Sequence, residues 1–417
     1  MRLLALPNPR FTALLLGAVL SFIFFSPLGF AAKGDKTYQL DYTIALQPRK
    51  DSARVTIRIS DGALLKSVDF SIDPKRHSNI KADGKVRIKN NRAVWKPPKG
   101  PAKFDFTARI SNKRDNGKYD ARITEDWAIF RGDKIIPAAT VKAVKGAESE
   151  ASLSFRLPRG WVGVDTGWLR DDDGSFIIDN PERNFDRPVG WVIASKVLTR
   201  KETFRETEIA VGAPRGSALR RVDIMAFLSF VWPEVERTFQ KLPPKFLIVG
   251  AGDPMWRGGL SSPNSLFLHA DRPLISENAT SALLHELTHV ITRIRGYKNA
   301  DWIAEGLAEY YSIELLHRAG GMTNERYRKV RKWLEDWGKD VKTLRVKRSS
   351  GPTTARAVVL LQDLDKEIRE RTNNRKSLDN VTRELMQLRK VSLKSLRGSA
   401  EALVDGELKS LDSALLK

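Results

Sequence analysis

Apolar and polar residues alternate in the first third of the chain. Every second residue is apolar from Tyr38 to Leu46, and the alternation resumes from Ala53 to Ile59 after turn-forming residues at 48–52. Because successive side chains of a strand point to opposite faces, this period of two predicts two strands joined by a turn. Shorter alternations follow at 68–72, 86–88 and 104–110. Together they predict an antiparallel β-sandwich that extends to about residue 212.

Turn residues cluster at 212–216, and the pattern changes beyond them. Val222–Gln240 has the spacing of an amphipathic helix, whereas 246–249 and 265–269 have that of buried strands. From Ser276 onward apolar residues recur at helical intervals. The chain is therefore predicted to have an α+β fold. Its predicted parts are an export signal at 1–31, an N-terminal antiparallel β-sandwich at 32–212, a small mixed sheet with helices at 213–345, and a C-terminal helical bundle at 346–417.

The first residues have the pattern of a signal peptide. The start is basic, with Arg2 and Arg10, and 11–25 is an uncharged apolar run. The small residues Gly29 and Ala31 suit cleavage before Ala32. The protein is thus expected to be exported, periplasmic or secreted, and soluble after cleavage. An uncleaved signal that anchors the chain in the membrane is the alternative. The chain has no cysteine, which excludes disulfides and a lipid-modified cysteine.

A strong positive charge changes the expected partners. The chain carries 72 Lys and Arg against 50 Asp and Glu, a formal net charge of +22. Such a balance favours anionic partners. For an exported protein these are acidic polypeptides, an anionic envelope polymer or a lipid surface rather than nucleic acid. A solvated basic surface without a specific partner is the alternative.

The candidate chemistry begins at His285-Glu286-Leu287-Thr288-His289. Residues four apart lie on one face of a helix, so both imidazoles can reach one ion while Glu286 lies beside it. Zinc is the expected cofactor, because neutral imidazole suits Zn²⁺ and a catalytic site keeps one position open for water. A surface helix with two incidental histidines is the alternative.

A second helix is predicted to begin near Asp301, as N-cap, and it carries Glu305 among apolar residues. A carboxylate there is costly to bury unless something binds it, which makes Glu305 a candidate third ligand. Glu309 lies one turn further on the same face and is a candidate hydrogen-bond partner of a ligating histidine. An ordinary solvated charge is the alternative for Glu309.

The two motifs together carry a resemblance. His285-Glu286-x-x-His289, followed by Trp302-x-x-Glu305-Gly306-x-x-Glu309-Tyr310-Tyr311, resembles the gluzincin zinc metallopeptidases of the peptidase MA-like clan, and most the glycyl aminopeptidase family, without its PDZ module. The resemblance implies a thermolysin-like catalytic domain at 213–345. It assigns the metal to His285, His289 and Glu305, and it assigns the acid–base role to Glu286. Glu309 and Asp301 are expected to lie behind the ligands.

The resemblance extends upstream of the metal motif, with two departures. Gly258, Gly259 and Leu260 resemble the edge strand that lines the substrate in this family. However, Ser261 and Ser262 follow where the family has an acidic residue near the substrate amine. The stretch 351–355 lacks the tyrosine that the family uses as oxyanion donor.

A replacement for the missing oxyanion donor is left open between Tyr327, His269 and a loop amide. Tyr310 and Tyr311 follow Glu305 by five and six residues, so they are expected to point to other sides of the helix.

The predicted function is therefore that of an exported zinc-dependent metallopeptidase, aminopeptidase-like by resemblance, with Glu286 as general base and a peptide or protein as substrate. Two alternatives stay open. A catalytically weak or inactive zinc-binding relative would act as an envelope interaction protein. An adhesion or polymer-binding module would use the histidine helix only as structure.

Overall fold

The computed structural model describes residues 36–179 and 185–417. The predicted signal at 1–31 lies outside the described residues. None of the helices within the described residues combines the length and the apolar character needed to cross a bilayer. Helices and several β-sheets both occur, so the predicted α+β class is confirmed.

The described residues form twenty-two strands. In chain order they are β1 Thr37–Gln47, β2 Ser52–Ile59, β3 Leu65–Ser71, β4 His77–Ala82, β5 Lys85–Lys89, β6 Arg92–Lys96, β7 Ala102–Arg109, β8 Asn112–Lys113, β9 Tyr119–Ile123, β10 Trp127–Arg131, β11 Ala139–Ala143, β12 Glu148–Arg156, β13 Gly163–Thr166, β14 Phe176–Ile178, β15 Trp191–Ser195, β16 Arg200–Phe204, β17 Thr207–Gly212, β18 Lys245–Ala251, β19 Gly259–Ser262, β20 Ser265–His269, β21 Arg295–Gly296 and β22 Lys390–Val391.

Eight α-helices complete the described part of the chain. They are α1 Gly132–Ile135, α2 Arg221–Phe239, α3 Ala282–Thr292, α4 Asp301–Arg318, α5 Asn324–Gly338, α6 Pro352–Arg371, α7 Leu378–Leu388 and α8 Leu393–Val404. Ser377 is the N-cap of α7, where its side chain and that of Asn380 form a capping box.

Three sheets form the N-terminal part, in the orders β14-β12-β1-β2-β7-β4, β11-β3-β6-β5 and β13-β15-β10-β9-β8. They contribute to one hydrophobic core, into which β1 buries Tyr38, Leu40, Tyr42 and Ile44. The predicted antiparallel arrangement is wrong for one central pair, because β1 and β12 run parallel. An alternation of period two is the same in either direction, so the sequence pattern did not reveal it.

A fourth, mixed sheet positions the candidate chemistry. Its order is β16-β17-β18-β20-β19, with β17, β18 and β20 parallel and the two outer strands antiparallel to their neighbours. The predicted boundary between residues 212 and 213 falls inside this sheet, because β17 pairs directly with β18. At the opposite side of the sheet, β19 is an edge strand.

The helices pack against the mixed sheet in one continuous core. This core includes buried residues from Ile209 in β17 to Leu416 near the C-terminus, so the segment after residue 346 shares its core with the segment before it. The contact between α4 and α6 is close at Gly306, where an added Cβ would lie 3.0 Å from the Cβ of Ala357.

A buried ion cluster connects the N-terminal sheets with the mixed sheet. The Nζ atom of Lys245 lies 2.8 Å from Oδ1 of Asp165 and 2.9 Å from Oε1 of Glu208. Lys245 and Asp165 are each 1% exposed. Burial alone would raise the pKa of Asp165, but the charge and hydrogen bond of Lys245 outweigh burial and lower it.

Candidate metal centre

Helix α3 presents His285, Glu286 and His289 on the side away from its apolar face. Its N-cap Ser281 accepts a hydrogen bond from the backbone N–H of Leu284. The apolar face is buried in the core and consists of Leu283, Leu284, Leu287, Val290 and Ile291. Burial of one face fixes the rotation of the helix, so the two histidines and the glutamate between them face the remaining, partly exposed side.

Helix α4 brings Glu305 to the same point. The Nε2 atoms of His285 and His289 are 3.2 Å apart, and each lies 3.5 Å from an oxygen of Glu305. A tetrahedral zinc ion with ligands at about 2.0–2.1 Å separates neighbouring ligand atoms by about 3.3 Å. The three donors therefore have the chemistry and the spacing that a zinc ion requires. Within the described part of the chain, these three side chains form a group whose ligand atoms all lie within 4.8 Å of one another, close enough to hold one metal ion.

Glu309 determines which nitrogen of His285 is available. The Nδ1 atom of His285 lies 2.8 Å from Oε2 of Glu309, so a proton on Nδ1 is held there and Nε2 keeps its lone pair for the metal. The structure thus places the carboxylate of Glu309 on the opposite side of the His285 ring from Glu305.

Hydrogen bonds within this group and burial have opposite effects on the pKa values of its members. Burial alone would lower the pKa of His285, but its hydrogen bonds with Glu305 and Glu309 raise it to about 10. For Glu305, burial would raise the pKa, and hydrogen bonds with both histidines lower it instead. Protons and a metal ion therefore compete for the same nitrogen atoms.

Glu286 lies against the edge strand β19. The backbone N–H of Ser261 donates a hydrogen bond to Oε2 of Glu286 at 2.7 Å. A Cβ on Gly259 would lie 2.8 Å from Cγ and 2.9 Å from Oε1 of Glu286, so only glycine fits there without displacing the carboxylate. The donor of Ser261 was missed by sequence reasoning, since a backbone N–H leaves no trace in residue types.

The other two residues predicted to line the substrate have different surroundings. Gly258 is covered by the ring of Trp256, whose atoms lie 2.1–2.4 Å from the position of an added Cβ. Leu260 packs on the opposite face of the sheet with Trp191 and Phe267, and its carbonyl accepts a hydrogen bond from Nε1 of Trp191 at 2.9 Å.

Asp301 is not brought to the imidazoles. It is the first residue of α4 rather than the N-cap, which is Ala300. Its Oδ2 atom accepts a hydrogen bond from the backbone N–H of Ser349 at 2.8 Å. A carboxylate at a helix start satisfies any nearby N–H, and here the donor comes from a distant segment that the sequence did not connect with it.

The tyrosines considered as oxyanion donors are engaged elsewhere. The hydroxyl of Tyr327 donates to Glu314 and accepts from Gln362. Glu314 follows Glu305 by nine residues, about 13 Å along the helix, so Tyr327 does not face the metal group. Tyr310 and Tyr311 are buried in the core.

Two other places bear on the question of an oxyanion donor: His269, and the stretch 351–355, where this chain has no tyrosine. In β20, Leu268 packs on the side of α3 and Phe267 on the other side, so alternation directs His269 away from the metal group. In the region 351–355, Thr354 is buried and its hydroxyl lies 3.1 Å from that of Ser349. A loop amide is the remaining candidate oxyanion donor.

Comparison with known proteins yields a match in structure but not in sequence. No protein-family model matches the chain, and no curated protein matches it. Among solved structures, the chain is similar to an aminopeptidase N family protein from Idiomarina loihiensis, with 16% identity, a TM-score of 0.63, and coverage of 84% of this chain and 70% of that one. It is also similar to an M1 zinc metallopeptidase from Deinococcus radiodurans, with 14% identity, a TM-score of 0.53, and coverage of 91% and 93%. The chain therefore shares its fold with these two proteins.

Proposed function

We propose that this protein is a zinc-dependent metallopeptidase that hydrolyses peptide bonds with Glu286 as general base. One observation carries the proposal: three donors from α3 and α4 converge at zinc-ligand spacing, while Glu286 on the same helix faces the edge strand β19. The fold shared with zinc metallopeptidases supports it. The pattern at 1–31 supports an exported enzyme, periplasmic or secreted.

The roles of the residues follow from their positions. A zinc ion held by His285, His289 and Glu305 would act as a Lewis acid on the scissile carbonyl and lower the pKa of water. Glu286 takes a proton from the attacking water and delivers it to the leaving amine as the C–N bond breaks. Glu309 holds the proton of His285 on Nδ1 and so fixes the orientation of that ring.

The edge strand β19 supports a peptide or protein as the substrate. Its outer side is not paired with any strand that the structure describes, so an extended peptide can add there by backbone hydrogen bonds. Recognition of a free substrate amine by an acidic side chain is not supported in this strand, because Ser261 and Ser262 stand in that place. The proposal therefore does not require a free N-terminus.

The test is peptide hydrolysis followed by mass spectrometry on a broad peptide library, free and N-acetylated. Wild type loaded with zinc should cleave, a chelator should abolish cleavage, and added zinc should restore it. Glu286→Gln should lose at least about 100-fold in rate while it keeps one bound zinc per chain. Equal activity of wild type, Glu286→Gln and chelated protein would exclude the hydrolytic function.

A second candidate function is a zinc-binding relative without turnover that binds an anionic envelope polymer. Tyr327 and His269 were candidate oxyanion donors, and both lie away from the metal group, which favours this candidate. Loss of an oxyanion donor typically lowers the rate by at least about 100-fold.

A cationic surface on β5 and β6 also favours this second candidate. Lys85 lies directly opposite Lys96. Lys89 lies opposite Arg92, whose guanidinium pairs with Asp69 at 2.8 Å, so the repulsion is concentrated at Lys85 and Lys96. Like charges in such positions destabilise a sheet, and a polyanion would relieve the repulsion. Tight zinc binding and binding of a sulfated polysaccharide, without cleavage of any library peptide, would favour this candidate over the peptidase.

A further inference from the structure

A cavity of about 700 Å³ lies between the N-terminal sheets and the edge strand β19. Trp191 and Leu260 line it on the side of the edge strand. Its remaining wall is rich in charge and contains five cationic side chains and three carboxylates: Arg76, Arg114, Arg131, Lys134 and Arg187, and Asp73, Asp120 and Asp133. The cavity therefore has an excess of positive charge.

Two of the cations are neutralised by carboxylates of the same wall. Arg131 makes two hydrogen bonds to Asp133. The Nε atom of Arg114 lies 2.6 Å from Oδ1 of Asp120. The excess positive charge of the cavity therefore comes from the other cations of its wall.

Arg76 and Lys134 are two cations of this wall that form no ion pair with any carboxylate that the structure describes. The guanidinium of Arg76 donates to the carbonyl of Arg109 and to the amide oxygen of Asn112, and it has no ion pair with residues 36–179 or 185–417. Burial of this guanidinium lowers the pKa of Arg76, and the nearby charge of Asp73 opposes that effect. Lys134 is exposed at the wall and forms no ion pair within the described part of the chain.

The geometry of β19 connects the cavity with the candidate metal centre. Gly259 faces Glu286, and the N–H of Ser261 is bonded to that carboxylate. Leu260 lies between them and faces Trp191 on the other side of the sheet. Side chains of neighbouring strands share a face when they lie opposite each other. A peptide that adds to β19 would therefore direct the side chain opposite Leu260 towards the cavity, while its neighbours point to the side of Glu286.

We propose that this cavity is a subsite for a carboxylate of the peptide substrate, an inference that rests on the proposed peptidase function. The carboxylate comes either from an Asp or Glu side chain or from a C-terminus that ends in the cavity. Arg76 binds it by a charge-assisted hydrogen bond, which a neutral amide in its place does not match. The expected preference of the carboxylate over the amide is about tenfold or more.

The experiment compares matched peptides on the zinc-loaded wild type. One arm replaces Glu by Gln at each position around the cleaved bond, and the other compares a free with an amidated C-terminus. The kcat/KM ratio within each pair is measured. A ratio of about ten or more in either arm supports the subsite and identifies the source of the carboxylate, whereas ratios near one in both arms overturn it.

Variants assign the preference to the cavity. Arg76→Met should reduce the ratio to within about twofold of one, whereas Lys89→Met, which removes an exposed cation of β5, should leave it unchanged. Lys134→Met removes a charge that supports no described contact, so it should fold normally and lower the ratio at least threefold. A ratio that both Arg76→Met and Lys134→Met leave intact would overturn the assignment.

Binding separates this inference from the proposed function. The same peptide pairs, labelled with a fluorophore, are titrated with zinc-loaded Glu286→Gln, and the ratio of dissociation constants is measured. If wild type cleaves no peptide but Glu286→Gln still discriminates the pairs by about tenfold, the peptidase proposal fails and the subsite stands. If peptides are cleaved and bound without discrimination, only the subsite fails.

Discussion

The Oε2 atom of Glu309 lies 2.8 Å from Nδ1 of His285, whereas Nε2 of the same ring faces Glu305. A carboxylate in this position orients the ring and increases the basicity of the ligating nitrogen. We expect Glu309→Gln to weaken zinc binding about 10- to 100-fold. Competition with a chromogenic chelator measures this effect.

The matched control is Glu325→Gln on α5, where the glutamate is exposed and pairs only with Lys329 in the described structure. Zinc affinity should stay at the wild-type level in this control. An affinity of Glu309→Gln indistinguishable from that of the control would show that the hydrogen bond to His285 does not support the metal.

Gly259→Ala tests the contact between the edge strand and Glu286. The new Cβ would lie within 3 Å of the Glu286 side chain, so the carboxylate or the strand has to move. A displacement of about 1 Å at a reacting group can reduce the rate 100-fold, and we expect kcat/KM to fall about 10- to 100-fold. Steady-state kinetics on a cleaved library peptide measures the change.

Gly398→Ala is the control for that substitution. Gly398 is exposed in α8, and an added Cβ would have no described atom within 4 Å. Alanine at a helical position is more stable than glycine by about 0.5–1 kcal/mol. Activity should be unchanged and the melting temperature slightly higher; a comparable loss of activity in both variants would contradict a specific contact at Gly259.

The buried cluster around Lys245 predicts a large effect on stability. Lys245→Met leaves Asp165 buried without its principal cation, and removal of one partner of a buried pair typically costs about 3–5 kcal/mol. Lys196→Met, which removes an exposed pair with Asp126, should cost less than about 1 kcal/mol. Urea unfolding distinguishes the two, and equal losses would show that the buried cluster contributes no more than a surface pair.

The same cluster predicts a dependence on pH. The pKa of Asp165 is lowered below its ordinary value of 3.8 in the folded protein, so the folded state holds this proton less tightly than the unfolded state. Its stabilising contribution is fully present above about pH 5 and is lost as the pH falls below 3.8 through the folded pKa. The difference in free energy of unfolding between wild type and Asp165→Asn should therefore be constant from pH 7 to 5 and shrink at lower pH. A difference at pH 2.5 as large as that at pH 7 would contradict this account.

Sequence patterns predicted local structure well and pairing poorly. The alternation from Tyr38 to Leu46 gave the position of β1, because the buried face of a strand selects every second residue. It did not give the parallel partner β12, which lies about 100 residues further along the chain. Nor did turn residues at 212–216 reveal that β17 pairs with β18, since strand pairing depends on contacts that no local pattern records.

The candidate site follows the same division. The spacing of His285 and His289 on one helix is a local property, so their shared orientation could be predicted. The approach of Glu305 and Glu309 was predicted from the combined motif, and the structure places both beside His285. Contacts from other elements were missed: the N–H of Ser261 on Glu286, the N–H of Ser349 on Asp301, and Glu314 as the partner of Tyr327.

The parallel pairing of β17 with β18 limits how the chain can be shortened. A recombinant fragment that starts at residue 213 would retain the seven buried residues of β18 but remove the strand that covers their backbone on one side. An uncovered apolar edge of this kind is a template for self-association between copies. Fragments designed for crystallisation or kinetics should therefore keep β16 and β17, so that the sheet under the histidine helix stays intact, and they should also keep Asp165, the buried partner of Lys245.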